Sequence, residues 1–320
     1  LAALCLALAL VSLIFGYVAL SVPEVALAAV GIGEEAHVVI VQELRLPRAL
    51  LGLMVGAALG VSGAALQGLL LNPLAEPGVV GVSASAGLGA VVALYFGLAD
   101  LAPAALPAAA MAGAGICTGA LWLLAARNAP TLTLILAGVA IGGLAVALTS
   151  LALNLSPNPW AVSEIVFWLL GSLRDRTFVE VGLAAPFVLA GLALLLTSGR
   201  ALEALSLGEE AARSLGVSVA GARARIILGT SLAVGASVAV AGAVGFVGLV
   251  APHLLRPVVG HAPARLLGPS ALAGAALILA ADVAVRLIPT GRELQLGVVT
   301  ALIGAPFFFR LILSRAGEGR

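Results

Sequence analysis

Ten long apolar runs constrain the fold of this 320-residue chain more than any other feature. A helix needs about 20 apolar residues to cross the hydrocarbon core of a bilayer, and most of the runs reach that length. They are continuous rather than alternating between apolar and polar residues, which favours helices over membrane-spanning strands. Charged residues make up only 10% of the chain, too few to cover a soluble surface. We predict an all-α polytopic membrane protein with spans at 1–22, 48–70, 79–98, 104–126, 132–154, 179–197, 224–243, 246–258, 267–287 and 295–314.

Arginine positions predict the orientation of these spans. All sixteen basic residues are arginines, and ten spans place both termini on one side of the membrane. With cytoplasmic termini, ten arginines lie inside and six outside, in agreement with the positive-inside rule. The predicted inner arginines are Arg127, Arg200, Arg213, Arg223, Arg225, Arg256, Arg265, Arg310, Arg315 and Arg320. The predicted outer arginines are Arg45, Arg48, Arg174, Arg176, Arg286 and Arg292.

The chain also repeats a pattern of small residues. Val55-Gly56-Ala57 recurs as Val234-Gly235-Ala236, and Gly63-Ala64 recurs as Gly242-Ala243, each 179 residues later. Small residues at helical spacing let membrane helices approach each other closely. A repeat unit of five spans reverses direction from one copy to the next, as in many transporters. We predict one transmembrane domain over 1–320, with inverted halves at about 48–154 and 224–314 and a cytoplasmic coupling loop at 198–223.

Five segments carry a resemblance to a known family. In chain order they read RLPRALLGLMVGAALGVSGAALQGLLLNPLAEPGVVGVSASAGLG, LGEEAARSLGV, AGAVGFVGLVAPHLLR, LAADVAVRL and LGVVTALIGAPFFFRLIL. They resemble the signature of the FecCD-type permeases, which are the membrane subunits of type II ABC importers for iron chelates, haem and cobalamin. The resemblance runs over essentially the whole chain in the family's order.

This resemblance implies a homodimer in the bacterial inner membrane, with the translocation path between the two subunits. It implies two ABC ATPase subunits on the cytoplasmic side and a periplasmic or lipid-anchored substrate-binding protein outside. Membrane lipids are the remaining partners, and no nucleic acid is expected. The implied cargo is an iron chelate, either haem or a ferric siderophore, with cobalamin as the alternative.

Residues 207–216 are predicted to form a short amphipathic helix that ends at Gly216. Leu207, Ala211 and Leu215 make an apolar stripe with no membrane span to join, as in helices that dock in a groove of a partner. The resemblance implies that this is the coupling helix that contacts the ATPase. The alternative is a connector lying against its own bundle. The predicted coupling residues are Leu207, Gly208, Glu209, Glu210, Ala211, Arg213, Leu215 and Gly216.

Three outer arginines match family positions that pair with acidic residues of the binding protein. These are Arg45, Arg48 and Arg286. Guanidinium groups form ion pairs of defined geometry and steer an acidic partner, so a docking role is physically reasonable. Local pairing, for example with Glu43 or Asp282, is the alternative.

Four further residues are predicted to line the substrate pathway. By resemblance, the segment 156–176 borders the outer mouth, with a short helix over 162–170, and Arg174 and Arg176 suit an anionic cargo. The alternative for this pair is an ion cluster with Asp175 and Glu180 that caps the next span. At the inner end, Thr131 matches a constriction position and Leu132 replaces a polar partner. Thr131 is also a candidate helix N-cap.

The sequence predicts no catalytic residue. It contains no lysine and therefore lacks the Lys-Ser/Thr ending of a P-loop, so ATP and Mg²⁺ are expected to bind to the partner ATPase. No cofactor or metal is predicted in the chain itself. The rival function is an ion-driven secondary transporter, which inverted repeats would suit equally. The cytoplasmic amphipathic helix and the scarcity of carboxylates inside the spans favour the importer.

Overall fold

The computed structural model describes residues 1–102, 104–127, 129–156, 159–288 and 293–318, and these residues form helices joined by short connections. Arg292 and Arg320 lie outside the described residues. The α-helices are α1 (Ala2–Ile14), α2 (Val22–Ala29), α3 (Glu35–Val39), α4 (Leu46–Leu69), α5 (Val82–Tyr95), α6 (Ala105–Ala126), α7 (Thr131–Leu155), α8 (Pro159–Leu169), α9 (Phe178–Leu196), α10 (Gly199–Ser206), α11 (Glu209–Ser214), α12 (Val219–Ala241), α13 (Val247–Val259), α14 (Pro263–Leu287) and α15 (Leu296–Glu318). A π-helical segment, Ile40–Arg45, joins α3 to α4, and 3-10 turns occupy Pro77–Val80 and Leu98–Asp100.

The predicted fold class is confirmed. Six helical stretches are long and apolar enough to cross a membrane: Glu35–Leu69, Ala105–Ala126, Thr131–Leu155, Phe178–Leu196, Val219–Ala241 and Pro263–Leu287. Four shorter apolar helices, α1, α5, α13 and α15, fall on the other four predicted spans. The first predicted span, 1–22, was too long, because α1 ends at Ile14. The predicted short helix over 162–170 begins earlier, at Pro159.

Helices α4 and α14 pack with their backbones in contact. A Cβ atom added at Gly56 would lie 2.4 Å from the carbonyl oxygen of Gly274, and one at Gly60 would lie 2.0 Å from that of Ser270. At Gly63 the close neighbour is the carbonyl oxygen of Gly248 on α13. These glycines therefore have the close-packing role that their spacing predicts, which matters because water does not drive helices together inside a bilayer.

Helix α12 lies at the centre of the bundle, against α4, α5, α6 and α9. Most of its residues are buried, whereas only a third or fewer of the residues in the apolar windows of α6, α7 and α9 are buried within one copy of the chain. The glycines of α6 differ from one another. Gly113 packs against the backbone of Ser85 on α5, but Gly115 and Gly119 have no atom within 4 Å of an added Cβ.

The chain leaves helical structure between α12 and α13. Gly242 and Phe246 both have positive φ, at 70° and 66°. The N–H of Phe246 donates to the carboxylate of Glu76, which follows α4 in sequence. Burial raises the pKa of Glu76, and the hydrogen bond from Phe246 opposes this shift. This carboxylate therefore provides the hydrogen bond that non-helical backbone needs inside a membrane bundle.

The register of the predicted repeat changes at this break. Gly63 lies inside α4, whereas its counterpart Gly242 lies beyond the end of α12. The Val-Gly-Ala triplets at 55–57 and 234–236 do share helical structure. The inverted halves at 48–154 and 224–314 stay a prediction.

We expect Gly60→Ala to destabilise the protein, because the new methyl group would overlap the backbone of Ser270. Overpacking of this kind costs about 1–3 kcal/mol. Gly115→Ala is the matched control, since its methyl group would meet open space and alanine favours helix by about 0.5–1 kcal/mol. Thermal unfolding of the detergent-purified protein measures both effects. Equal unfolding temperatures for Gly60→Ala and the wild type would contradict the close contact.

Candidate functional site

The ends of α1, α4 and α14 meet in a buried ionic cluster. Nε of Arg48 on α4 donates to Oδ1 of Asp282 on α14 at 2.9 Å, and Nη2 of Arg48 donates to the carboxylate of Glu293. Nη2 of Arg286 lies 2.8 Å from Oδ2 of Asp282. The side chain of Asp282 is only 2% exposed, so one buried carboxylate serves two guanidinium groups. This arrangement fixes α4 against α14 at one end of the bundle.

Arg286 and a third arginine, Arg45, also hold the end of α1. Nη1 of Arg45 donates to the carbonyls of Leu13 and Ile14 at 2.8 and 2.7 Å. Nη1 of Arg286 donates to the carbonyls of Ser12 and Phe15 at 2.9 and 2.8 Å. The last carbonyls of a helix have no partner within the helix and carry partial negative charge, so two cations satisfy them well. The π-helical segment before α4 positions Arg45 for this contact.

The three predicted docking residues therefore lie together, and they are locally engaged. Arg48 and Arg286 pair with Asp282, which is the local alternative that the sequence left open. Arg45 binds backbone carbonyls instead of Glu43. These contacts assign a structural role to all three arginines, and their docking role stays a prediction.

A cavity of about 190 Å³ opens beside the cluster. Its charged lining consists of four arginines and two carboxylates: Arg45, Arg48, Arg174, Arg286, Asp175 and Glu293. The hydroxyl of Tyr17 lines the same cavity and donates to Glu293 at 3.2 Å. The formal charge of the lining is positive, so the cavity favours an anionic group.

Arg174 and Arg176 occupy different environments. Arg174 is exposed, pairs with Asp175 at 3.0 Å, and lines the cavity with the three predicted docking arginines. Arg176 is half-buried, and its Nε atom is buried without a hydrogen-bond partner in the described residues. Burial lowers the pKa of the Arg176 guanidinium, and the nearby carboxylates of Glu180 and Asp175 oppose the shift. The structure thus separates two residues that the sequence treated as a pair.

The start of α9 is capped by Thr177 rather than by these arginines. The hydroxyl of Thr177 accepts from the N–H of Val179 at 3.2 Å, and Glu180 accepts from the N–H of Thr177 at 2.8 Å. This reciprocal pattern is a capping box. The alternative of an ion cluster that caps α9 is therefore partly confirmed: Arg174 pairs with Asp175 and Glu180 takes part in the cap, but the arginines themselves do not cap the helix.

At the opposite end of α14, some 30 Å away at 1.5 Å per residue, the coupling loop contains two short helices. Helix α10 packs on the bundle through Leu202 and Leu205. The helix predicted over 207–216 is shorter in the structure, where α11 covers only Glu209–Ser214, and Gly216 lies just beyond it with φ 79°. Gly208, with φ 101°, separates α10 from α11. The sequence analysis did not predict α10, because a helix of only eight residues shows too short an apolar pattern.

The predicted apolar stripe is divided in the structure, because Gly208 separates Leu207 from α11 and Leu215 follows the last residue of the helix. Leu207 and Leu215 are 68% and 64% exposed, and Ala211 is half-buried. The residue that packs inward is Ala212, which is fully buried. Glu209 pairs with Arg213 at 3.3 Å and also with Arg223 on α12, a contact that sequence reasoning missed. Glu210 and Arg213 are exposed.

The two residues predicted at the inner constriction, Thr131 and Leu132, begin α7. Leu132 is 65% exposed and Thr131 is half-buried in one copy of the chain. The N-cap of α7 is Pro130, and Thr131 is the first helical residue, so the N-cap alternative for Thr131 is wrong. Within the described residues, no group of three or more His, Cys, Asp or Glu side chains is placed to hold a metal ion.

We expect Asp282→Ala to destabilise the protein strongly, because two buried arginines would lose their shared carboxylate. Removing one partner of a buried ion pair costs about 3–5 kcal/mol. Asp175→Ala is the matched control, since Asp175 is 78% exposed and such pairs contribute about 0–1 kcal/mol. Thermal unfolding in detergent compares the two. A stability loss for Asp282→Ala no larger than that of the control would show that the cluster is not structural.

Comparison with known proteins agrees with this architecture. The sequence pattern of the FecCD transport family matches residues 4–314. A cobalamin import system permease, BtuC of Halobacterium salinarum, is 42% identical over 287 residues, covering 89% of this chain and 76% of the relative. The vitamin B12 import system permease BtuC of Salmonella paratyphi A is 43% identical, covering 86% and 84%. An uncharacterized ABC transporter permease, YvrB of Bacillus subtilis, is 40% identical, covering 91% and 83%.

A solved structure shares the fold. It is described as an inward-facing conformation of a protein assigned to the metal-chelate type of ABC transporters. It superimposes with a TM-score of 0.87 at 32% identity, covering 98% of this chain and 97% of that one. The helical bundle, the family match and the relatives agree, and the chain belongs to the FecCD transport family of ABC importer permeases.

Proposed function

We propose that this chain moves a metal chelate across the bacterial inner membrane, as one subunit of a homodimeric permease driven by two separate ABC ATPases. The observation that carries this proposal is a pair of exposed leucines, Leu207 and Leu215, at the two ends of α11, a helix that lies outside the membrane-spanning bundle. The proposal treats 1–320 as one transmembrane domain with its coupling loop at 198–223 and both termini in the cytoplasm. ATP and Mg²⁺ bind to the ATPase subunits.

Helix α11 suits docking in a cleft of the ATPase. Leu207 and Leu215 present apolar surface that the chain itself does not cover. Gly208 precedes the helix and Gly216 follows Leu215, and both have positive φ. An amphipathic helix with an open apolar face binds a hydrophobic groove in a partner. Movement of the ATPase then shifts the permease between two conformations, because ATP-bound and ATP-free partners favour different states.

The second copy supplies the other wall of the translocation path. Helix α7 is apolar, yet most of it is exposed in a single chain, as expected for a helix that faces a partner or lipid. Thr131 and Leu132 begin this helix at the end where α11 lies, which suits an inner constriction between two copies. We place Arg174 and Arg176 near the opposite mouth, where their charges favour an anionic cargo.

Docking of the substrate-binding protein is proposed at the cavity beside the arginine cluster. An acidic side chain of the binding protein entering this cavity would face four guanidinium groups. The three predicted docking residues, Arg45, Arg48 and Arg286, form its inner wall, and Arg174 forms its exposed rim. Charge complementarity of this kind mainly accelerates association.

Cobalamin is the first candidate for the cargo. Two relatives that are 42% and 43% identical to this chain are named for cobalamin or vitamin B12 import. An iron chelate, haem or a ferric siderophore, is the second candidate, favoured by the metal-chelate assignment of the structural relative and by the exposed Arg174. Stimulation of ATP hydrolysis by the binding protein, loaded in turn with cobalamin and with haem, distinguishes them.

We expect Leu207→Ser combined with Leu215→Ser to weaken ATPase binding by at least tenfold. Burying a leucine side chain contributes about 1.5–3 kcal/mol, so two lost anchors exceed that threshold. The matched control is Val258→Ser, which removes a side chain that is 82% exposed at the neighbouring end of α13. Co-purification of the ATPase with the permease measures the effect. Retention of the ATPase by the double variant would contradict docking through α11. Transport driven by an ion gradient alone would support the rival function, a secondary transporter, instead of the importer.

We expect Arg174→Glu to slow association of the binding protein several-fold at low ionic strength. The substitution reverses an exposed charge at the cavity rim and leaves the buried cluster intact. The difference from the wild type should shrink at high salt, because salt screens exposed charges. Arg200→Glu is the control, since it makes the same charge change on α10 at the opposite end. Equal association rates for both variants would exclude docking at this cavity.

A further inference from the structure

Helix α11 is tied to the membrane-spanning bundle by one ion pair. The carboxylate of Glu209, the first residue of α11, bonds Nη2 of Arg223 on α12. Its other oxygen lies 3.3 Å from Arg213 within α11 itself, so that second contact adds no link to the bundle. The fully buried side chain of Ala212 adds an apolar contact.

The buried guanidinium group of Arg223 depends on its ion pair with Glu209. Its side chain is only 6% exposed, and its Nε atom is buried without a hydrogen-bond partner among the described residues. Separating a buried guanidinium from its carboxylate leaves an unpaired buried charge, which is strongly unfavourable. The pair therefore resists separation when α11 is pushed or pulled.

The backbone around α11 makes such a tie necessary. Gly208 and Gly216 have positive φ values of 101° and 79° and flank a helix of only six residues. Glycines at both ends allow a short helix to turn without moving its neighbours. A partner that binds α11 can therefore move the bundle only if a directional contact joins α11 to the bundle.

Helix α12 is well suited to receive this movement. It runs without interruption from Val219 to Ala241, about 33 Å at 1.5 Å per residue, through the centre of the bundle. At its far end the carbonyl of Ala241 accepts from the N–H of Ser172 at 2.7 Å. A displacement at Arg223 would therefore reach the end of the bundle where the arginine cluster lies.

We propose that Glu209 and Arg223 are positioning residues that transmit movement of α11 to α12, and so couple ATP hydrolysis to transport. The proposal rests on the proposed role of α11 in ATPase docking. Because the two charges are opposite, exchanging the two residues preserves the ion pair, whereas neutralising either one breaks it.

The test uses proteoliposomes that contain the permease, its ATPase and the loaded binding protein. It measures cargo transported per ATP hydrolysed for Glu209→Gln, Arg223→Gln, the conservative Arg223→Lys and the exchange Glu209→Arg/Arg223→Glu. We expect each Gln variant to lower this ratio at least tenfold, Arg223→Lys to keep most of it, and the exchange to restore at least half. Arg225→Gln is the matched control, since Arg225 lies on the same helix with an exposed side chain, and its ratio should equal that of the wild type.

Co-purification of the ATPase and thermal unfolding are measured on every variant. A wild-type ratio in both Gln variants would overturn the proposal. So would Gln variants that lose ATPase binding and thermal stability together, because the pair would then only keep α11 folded. An exchange variant that is as stable as the wild type but transports no better than the Gln variants would also overturn it. Failure of the wild-type permease to retain the ATPase would instead refute the docking role of α11.

Discussion

The backbone contact between α4 and α14 determines where the charged residues of this permease meet. Gly56 and Gly274 touch where the two antiparallel helices cross. Eight residues further towards the same end of each helix lie Arg48 and Asp282, which form the central ion pair of the arginine cluster. A side chain at either glycine would separate the helices and with them the two charges. Small residues inside the membrane thus control an electrostatic arrangement about 12 Å away.

Much of the fold could be predicted from sequence, because apolar run length and glycine spacing are local signals. The spans, the break before α13 and the helix ended by Gly216 all follow from such signals. Partner choice between distant charges does not. Arg48 and Asp282 are 234 residues apart, and only the rotation of two packed helices brings them together. For the same reason, the pairing of Glu209 with Arg223 could not be predicted from the sequence.

The three arginines proposed for docking already have a structural purpose. Arg45 and Arg286 satisfy carbonyls at the end of α1, and Arg48 joins α4 to α14. Such contacts hold the guanidinium groups in fixed positions before any partner arrives. Preorganised charges lose little conformational entropy on binding, so a structural role supports a docking role.

Movement of α12 would act first on the non-helical segment that follows it. That segment ends at Phe246, whose positive φ is unusual for a residue with a side chain and is stabilised by the carboxylate of Glu76. The ring of Phe246 packs on Gly304 of α15, so closely that an added Cβ there would lie 2.3 Å from Phe246. A shift of α12 therefore changes either the Glu76 contact or the position of α15. Alternating access requires two such arrangements of the bundle.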